Sequence, residues 1–167
     1  MEVRDAVPAD AEAIREVHVR SIRGLGTDAY TTEQVDAWAA GCESADYERA
    51  IRDLEFLVAE RDGAVVGFGS LAPEPPGRYE ADVDAEITGL YVDPSVARQG
   101  VGSAIYDELE RRARRSGVET LGLSASRNAV PFYEARGYER VREFEHEFSG
   151  EESTGVTGTV VEMEREL

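Results

Sequence analysis

The run Leu90-Tyr91-Val92-Asp93-Pro94-Ser95-Val96-Ala97-Arg98-Gln99-Gly100-Val101-Gly102-Ser103 takes a short apolar strand through a turn into a helix opened by two glycines. The first turn of a helix carries N–H groups with no intrahelical partner and the positive end of the macrodipole. With glycines lining the approach, a phosphate can come within hydrogen-bonding distance of those amides. Val101, Ala104, Ile105, Leu109 and Ala113 recur at three- and four-residue spacing, so the glycines stand at the start of an amphipathic helix. The chemistry is anion binding. A nucleotide P-loop is excluded, because it needs a lysine after its last glycine and this chain has no lysine. A dinucleotide fingerprint is excluded too, because Ile105 stands where its third glycine belongs.

The loop resembles motif A of the GCN5-related N-acetyltransferases, [Q/R]-x-x-G-x-[G/A]. Here the frame is Ala97-Arg98-Gln99-Gly100-Val101-Gly102, with Ala97 in the leading Gln/Arg position and Arg98 one step late. A second stretch, Leu121-Gly122-Leu123-Ser124-Ala125-Ser126-Arg127-Asn128-Ala129-Val130-Pro131-Phe132-Tyr133-Glu134-Ala135-Arg136-Gly137-Tyr138, resembles motif B of that family: a strand, Asn-Ala, a short helix with Phe-Tyr-Glu, then Gly-Tyr. The two ordered motifs cover about Glu86 to Arg140. The resemblance implies a cleft for acetyl-coenzyme A, with the pyrophosphate on the amides of Arg98, Gln99, Gly100, Val101, Gly102 and Ser103. It adds Asn128 and Phe132 to the cofactor-binding positions. It also implies that the strand before the cradle and the strand after its helix splay apart, and that the pantothenate arm pairs with the first of them.

Acyl transfer from a thioester to an amine needs an unprotonated amine, a donor for the oxyanion and a hydrogen bond or proton for the departing thiolate. By resemblance, the backbone N–H groups of Leu90, Tyr91 and Val92 polarise the carbonyl and Tyr133 addresses the sulfur. A free phenol titrates near ~10 and a free thiol near ~8.5, so full proton transfer from Tyr133 is uphill by roughly 2 kcal/mol. Glu86, at the start of the cradle strand, is the candidate base, and His18 on the first helix is a second candidate for the acceptor pocket. Trp38 and Tyr30 lie in the segment that covers the acceptor site in this family, where large aromatics serve as core or as pocket wall. With no acyl-accepting nucleophile beside Tyr133, the expected reaction is direct attack in a ternary complex. The expected acceptor is a small-molecule or peptide amine. The alternatives are a catalytically silent coenzyme A-binding module and an acyltransferase with another acyl chain or acceptor.

Composition narrows the partners. The chain has 167 residues, 41% hydrophobic, which suits a single domain, monomeric or homodimeric, with a proper core. A formal charge of −17, from 35 acidic and 18 basic residues, excludes nucleic acid and anionic membrane as natural partners. Every basic residue is arginine, a surface that fits a high-salt cytoplasm. Cys42 is the single cysteine, so neither an intrachain disulfide nor a thiolate metal cluster is expected. His18 and His146 lack metal-ligand spacing. No apolar run suits a bilayer span or a signal segment, so a cytoplasmic location is expected.

The elements that must position these residues follow from the changing period. Val3 to Val7 reads as a short edge strand and Pro8-Ala9-Asp10 as a helix start, with Ala13, Ile14, Val17 and Ile22 on one face. Thr31-Thr32-Glu33-Gln34 opens a second helix, and Tyr47 to Ile51 suggests a third. Phe56–Ala59 and Ala64–Gly69 flank an Asp62-Gly63 hairpin turn. A proline-rich loop spans Pro73 to Asp84. Strands follow at Glu86–Val92 and Thr120–Ala125, on either side of a helix to about Ser116. A short helix over Pro131–Arg136 precedes long strands at Tyr138–Phe148 and Gly158–Glu166, joined by an acidic connection over Gly150–Gly155. The class is α+β: a mixed, mostly antiparallel central sheet with helices on both faces.

Overall fold

A computed structural model of the chain describes residues 1–75, 77–148 and 155–167. Seven strands form one sheet: β1 (Glu2–Asp5), β2 (Glu55–Arg61), β3 (Ala64–Ala72), β4 (Ala85–Val92), β5 (Thr120–Ser126), β6 (Glu139–Glu147) and β7 (Thr157–Glu166). The helices are α1 (Ala11–Leu25), α2 (Thr32–Glu43), α3 (Tyr47–Asp53), α4 (Val101–Arg115) and α5 (Val130–Glu134). The strand order is β1-β2-β3-β4-β5-β7-β6, antiparallel except for the β4–β5 pair, which α4 connects as a crossover.

Strand alternation divides the core between the two faces of the sheet. On β2, Leu57 and Ala59 face α4 with Ile105 and Leu109, while Phe56 and Val58 face α1 with Ile14 and Val17. The α4 packing is close. A Cβ placed on Gly69 of β3 would stand 2.6 Å from Ile105 Cγ2, so only glycine lets the helix lie this near the sheet. The expected helix face of α1 is buried at Ile14, Val17 and Ile22. At the start of α2, Gln34 N–H donates to Thr31 Oγ1 (3.2 Å) and Thr31 N–H donates to Gln34 Oε1 (2.9 Å), a reciprocal cap.

Three local differences from the sequence expectation have physical causes. The first strand stops at Asp5 rather than Val7, because Pro8–Asp10 winds into a 3₁₀ turn. Asp10 does not cap α1; its carboxylate accepts from Val7 N–H (2.8 Å) and from Arg4 (2.9 Å). The second difference lies between β3 and β4, where Ser70 pairs with Gly89 and Leu71 with Ile87, leaving Thr88 as an extra residue in a bulge. The third is that residues 77–84 of the expected proline-rich loop are tied down, as described below. The acidic connection expected over Gly150–Gly155 lies, apart from Gly155, outside the described residues. Among the described residues, no helix is long and apolar enough to cross a membrane.

β4 and β5 pair only from Ala85 to Ile87 against Leu121 to Leu123. Beyond that, β4 continues to Val92 against β3, while β5 continues to Ser126 against β7. The sheet therefore opens into a V above Ile87, with β4 backbone exposed along one arm.

Candidate active site

The mouth of the V is closed by the loop that starts α4. Asp93 accepts from the Ser95 N–H (2.9 Å) and hydroxyl (2.7 Å), fixing the turn after β4. Arg98 and Gly100 then both take positive φ, 61° and 83°. Such alternation turns successive amides toward one concavity. Gly100 provides no side-chain cap, and the first α-helical bond is Ala104 N–H to Gly100 O at 3.0 Å. The Val101, Gly102 and Ser103 N–H groups are thus left without intrahelical partners at the positive end of a 15-residue helix. A Cβ on Gly100 would meet nothing within 4 Å, so the concavity in front of it is open. These features suit a pyrophosphate.

A cavity of about 400 Å³ runs from this cradle into the V, a size suited to a small organic ligand. Leu90 to Val92, Arg98 and Gly100 to Ser103 line it from one side, and Asn128, Phe132 and Tyr133 from the other. Gln99 is absent from that wall: its Oε1 accepts from Arg61 Nη1 (2.8 Å) on the outer surface, so only its backbone is available to the cradle. Tyr133 is buried on α5, with its ring edge-on to Phe132 (5.2 Å) and Tyr138 (5.5 Å). Burial pushes its phenol above the ordinary tyrosine range, so it enters the cavity as a neutral O–H donor.

Glu86 lies elsewhere, on the far side of the V. It lines a second cavity of about 180 Å³ together with Arg78, Thr88, Tyr91 and Phe144. The two cavities share Trp38, Tyr91 and Ser126 as walls, so they are neighbours across the same opening. The Glu86 carboxylate is buried, accepts from the Tyr79 hydroxyl and stands 3.5 Å from Arg78 Nη2. Burial raises its pKa, against the lowering effects of the Tyr79 hydrogen bond and the Arg78 charge. A carboxylate with a raised pKa is a better proton acceptor than an exposed one.

The two aromatics near the acceptor side have separate roles. Trp38 is a wall of both cavities. Tyr30 is core: its hydroxyl donates to Thr159 O (2.7 Å) and accepts from Arg127 N–H (2.9 Å), joining the start of α2 to β7 and β5. His18 lines neither cavity. Its ring lies against Tyr91 (4.1 Å between centroids) and Phe68 (5.3 Å), with Nδ1 2.8 Å from the Tyr47 hydroxyl and Nε2 3.5 Å from Cys42 Sγ. Burial pushes the Cys42 thiol up to about 12 and lowers His18 to about 4, so both are neutral at pH 7 and the pair is packing, not a thiolate nucleophile.

The depressed His18 pKa gives a stability signature. The unfolded chain takes up a proton near ~6.5 that the folded chain refuses until about 4, so this share of stability is complete above pH 6.5 and is lost as pH falls toward 4. The full loss is about 3 kcal/mol. His18→Gln, which keeps a hydrogen-bonding group for Tyr47, is expected to flatten the urea-unfolding free energy between pH 6.5 and 4.5. An unchanged slope would show that His18 titrates normally.

Several residues of the site are silent in the sequence. The Thr88 bulge is one. Glu162 on β7 is another: it is fully buried and accepts from the Ala81 and Glu80 N–H groups (2.9 and 3.1 Å) and from Arg142 Nε (3.0 Å). Burial alone would raise its pKa, but those three donors outweigh it and the pKa is lowered. A charged residue set into the short apolar run Val160-Val161-Glu162-Met163 is the signal that could have exposed it. Among the described residues, no cluster of three or more His, Cys, Asp or Glu side chains is placed to hold a metal ion.

Comparison with known proteins bears on the fold and the family. The model of the acetyltransferase (GNAT) family matches residues 21–138. The chain is 28% identical over 143 residues to the uncharacterized N-acetyltransferase YafP of Escherichia coli, covering 86% of this chain and 84% of that protein. Its fold superposes with a TM-score of 0.82 on a GCN5-related N-acetyltransferase from Rhodopseudomonas palustris, at 29% identity over 99% of this chain and 95% of that one. A GNAT family acetyltransferase from Brucella melitensis, solved in complex with acetyl-CoA, superposes with a TM-score of 0.61 at 26% identity, covering 83% and 82% of the two chains.

Proposed function

This chain belongs to the GNAT family of acetyltransferases, and on that premise we propose that it transfers the acetyl group of acetyl-CoA to a primary amine by direct attack in a ternary complex. The observation that carries the reading is the open cradle at Arg98–Ser103, continuous with a cavity that ends between β4 backbone and Tyr133. Bound there, acetyl-CoA supplies a thioester activated toward amines.

The chain's own groups do the rest. The amides of Val101, Gly102 and Ser103 hold the pyrophosphate. The backbone N–H groups of Leu90 and Val92, which strand alternation turns away from β3 and the splay frees from β5, donate to the acyl carbonyl as charge develops on its oxygen, whereas Tyr91 N–H faces β3. Tyr133 donates a hydrogen bond to the departing sulfur. Because burial raises the phenol further above a thiol, keeping the O–H bond is favoured over complete transfer. Glu86 accepts a proton from the amine, and the raised pKa that burial gives it makes that uptake easier. Direct attack is supported by the cleft walls, where Cys42 does not appear.

The test is incubation with acetyl-CoA and a panel of polyamines, amino acids and peptide N-termini, reading thiol release and the mass of the acetylated product. Equimolar thiol and acetyl-amine are expected. Tight acetyl-CoA binding without any acetylated amine would establish the silent coenzyme A-binding module instead.

The net charge of −17 with arginine as the sole strong cation supports a high-salt working environment in the cytoplasm. Self-repulsion among 35 carboxylates strains the compact state in dilute buffer, and the Debye length falls from about 10 Å at 0.1 M salt to about 3 Å at 1 M. The melting temperature is therefore expected to climb with potassium chloride well past 0.5 M. A flat or falling series would leave the acidity as an ordinary solubility feature.

A further inference from the structure

The 180 Å³ cavity on the Glu86 side carries information about the acceptor that the cleft itself does not. Two opposite charges face the same small space, the guanidinium of Arg78 and the buried carboxylate of Glu86, 3.5 Å apart. That contact is long for a charge-assisted hydrogen bond. Arg78 is 62% exposed and has five N–H donors, so most of its bonding capacity remains available to a ligand.

The cation is held in place by its backbone. Arg142 Nη2 donates to the Arg78 carbonyl (2.9 Å), and the buried Glu162 carboxylate clamps the Glu80 and Ala81 amides. Tyr79, between them, donates to Glu86 and accepts from Ser124 Oγ (3.3 Å). Loop 77–84 is thus stapled across the sheet, with Arg78 over one end of the cavity. Much of the remaining lining is aromatic: Trp38 stacks on Phe148 (5.4 Å between centroids, 14° between planes), with Tyr91 and with Phe144, whose ring carries the Arg142 guanidinium (4.9 Å). His146 also lines the cavity, and its pKa is lowered by partial desolvation and by the nearby Arg78 charge.

We propose that the acceptor is a free α-amino acid with an apolar or aromatic side chain, its carboxylate on Arg78, its amine toward Glu86 and its side chain against the Trp38–Phe144 wall. The proposal rests on the acetyltransfer reading and deepens it. In an α-amino acid the ammonium and carboxylate are one carbon apart, matching a cation and an anion that already stand side by side. A simple amine would place a second positive charge beside Arg78 with one carboxylate for both, an unfavourable like-charge contact. At about 180 Å³ the cavity is of a size for a small acceptor. In the reaction the ammonium loses two protons, one through Glu86 to solvent and one that ends on sulfur. The N–C bond forms as the C–S bond breaks, giving the N-acetyl amino acid and free thiol.

The experiment compares kcat/KM, at saturating acetyl-CoA, for phenylalanine and leucine against phenethylamine, isoamylamine and phenylalanine amide. The two acids are expected to exceed their carboxylate-free counterparts tenfold or more. Arg78→Gln, at an exposed position, should raise KM for the acids, abolish most of that preference and leave acetyl-CoA affinity by calorimetry unchanged. Equal or better use of the amines, an Arg78→Gln variant that keeps the full preference, or acetyl-CoA binding with no member acetylated would each overturn the proposal. Absence of acetyl-CoA binding by the wild type would overturn the acetyltransfer reading, and this inference with it.

Discussion

Tyr133→Phe is expected to bind acetyl-CoA as tightly as the wild type while turning over about a hundredfold more slowly. The substitution removes one oxygen from a ring that stays clamped between Phe132 and Tyr138, so the fold and the cavity wall are preserved. What is lost is the neutral O–H donor held in the cavity, whose value is realised when negative charge gathers on sulfur. Ground-state binding does not use that charge. Calorimetry with acetyl-CoA and initial rates at saturation separate the two effects. If affinity fell and the turnover number held, Tyr133 would be a packing or binding residue.

Gly100→Val is expected to weaken coenzyme A binding by an order of magnitude or more, through the backbone. At φ +83° a β-branched residue is strongly disfavoured, so the loop shifts and the amides behind it lose their common aim. The new side chain would also project into the open concavity where the pyrophosphate belongs. Gly117→Val is the control. Gly117 follows α4 at its other end, has φ +85° and likewise meets nothing within 4 Å. Both variants should lose comparable stability, about 1–2 kcal/mol, and only the first should lose affinity. Equal affinity in the two would place the anion away from Gly100.

The cradle was legible in the sequence because its chemistry is local. Two glycines, a strand before them and a 3.6-residue period after them specify orphan amides without knowledge of the rest of the chain. The α5 motif around Tyr133 was legible only through its resemblance to motif B, and the structure brings it to the other wall of the same cavity. The acceptor side was not legible, because it is assembled from distant segments. Glu162 meets Glu80 and Ala81 across about eighty residues, and Arg142 reaches Arg78 across sixty-four. Period and composition carry no signal for such contacts. Tyr30 and Trp38 show the same limit at short range: both are large aromatics near α2, and only tertiary hydrogen bonds make one core and the other wall. Gln99 was expected at the cradle with its neighbours, and Arg61 of the β2–β3 hairpin holds its side chain outside.

A crystal structure of the chain with acetyl-CoA tests the central claim most directly. The account requires pyrophosphate oxygens within hydrogen-bonding distance of the Val101, Gly102 and Ser103 amides, the acyl carbonyl on β4 backbone and the sulfur against the Tyr133 hydroxyl. Density that places the pyrophosphate away from the start of α4, or the sulfur outside reach of Tyr133, would contradict it.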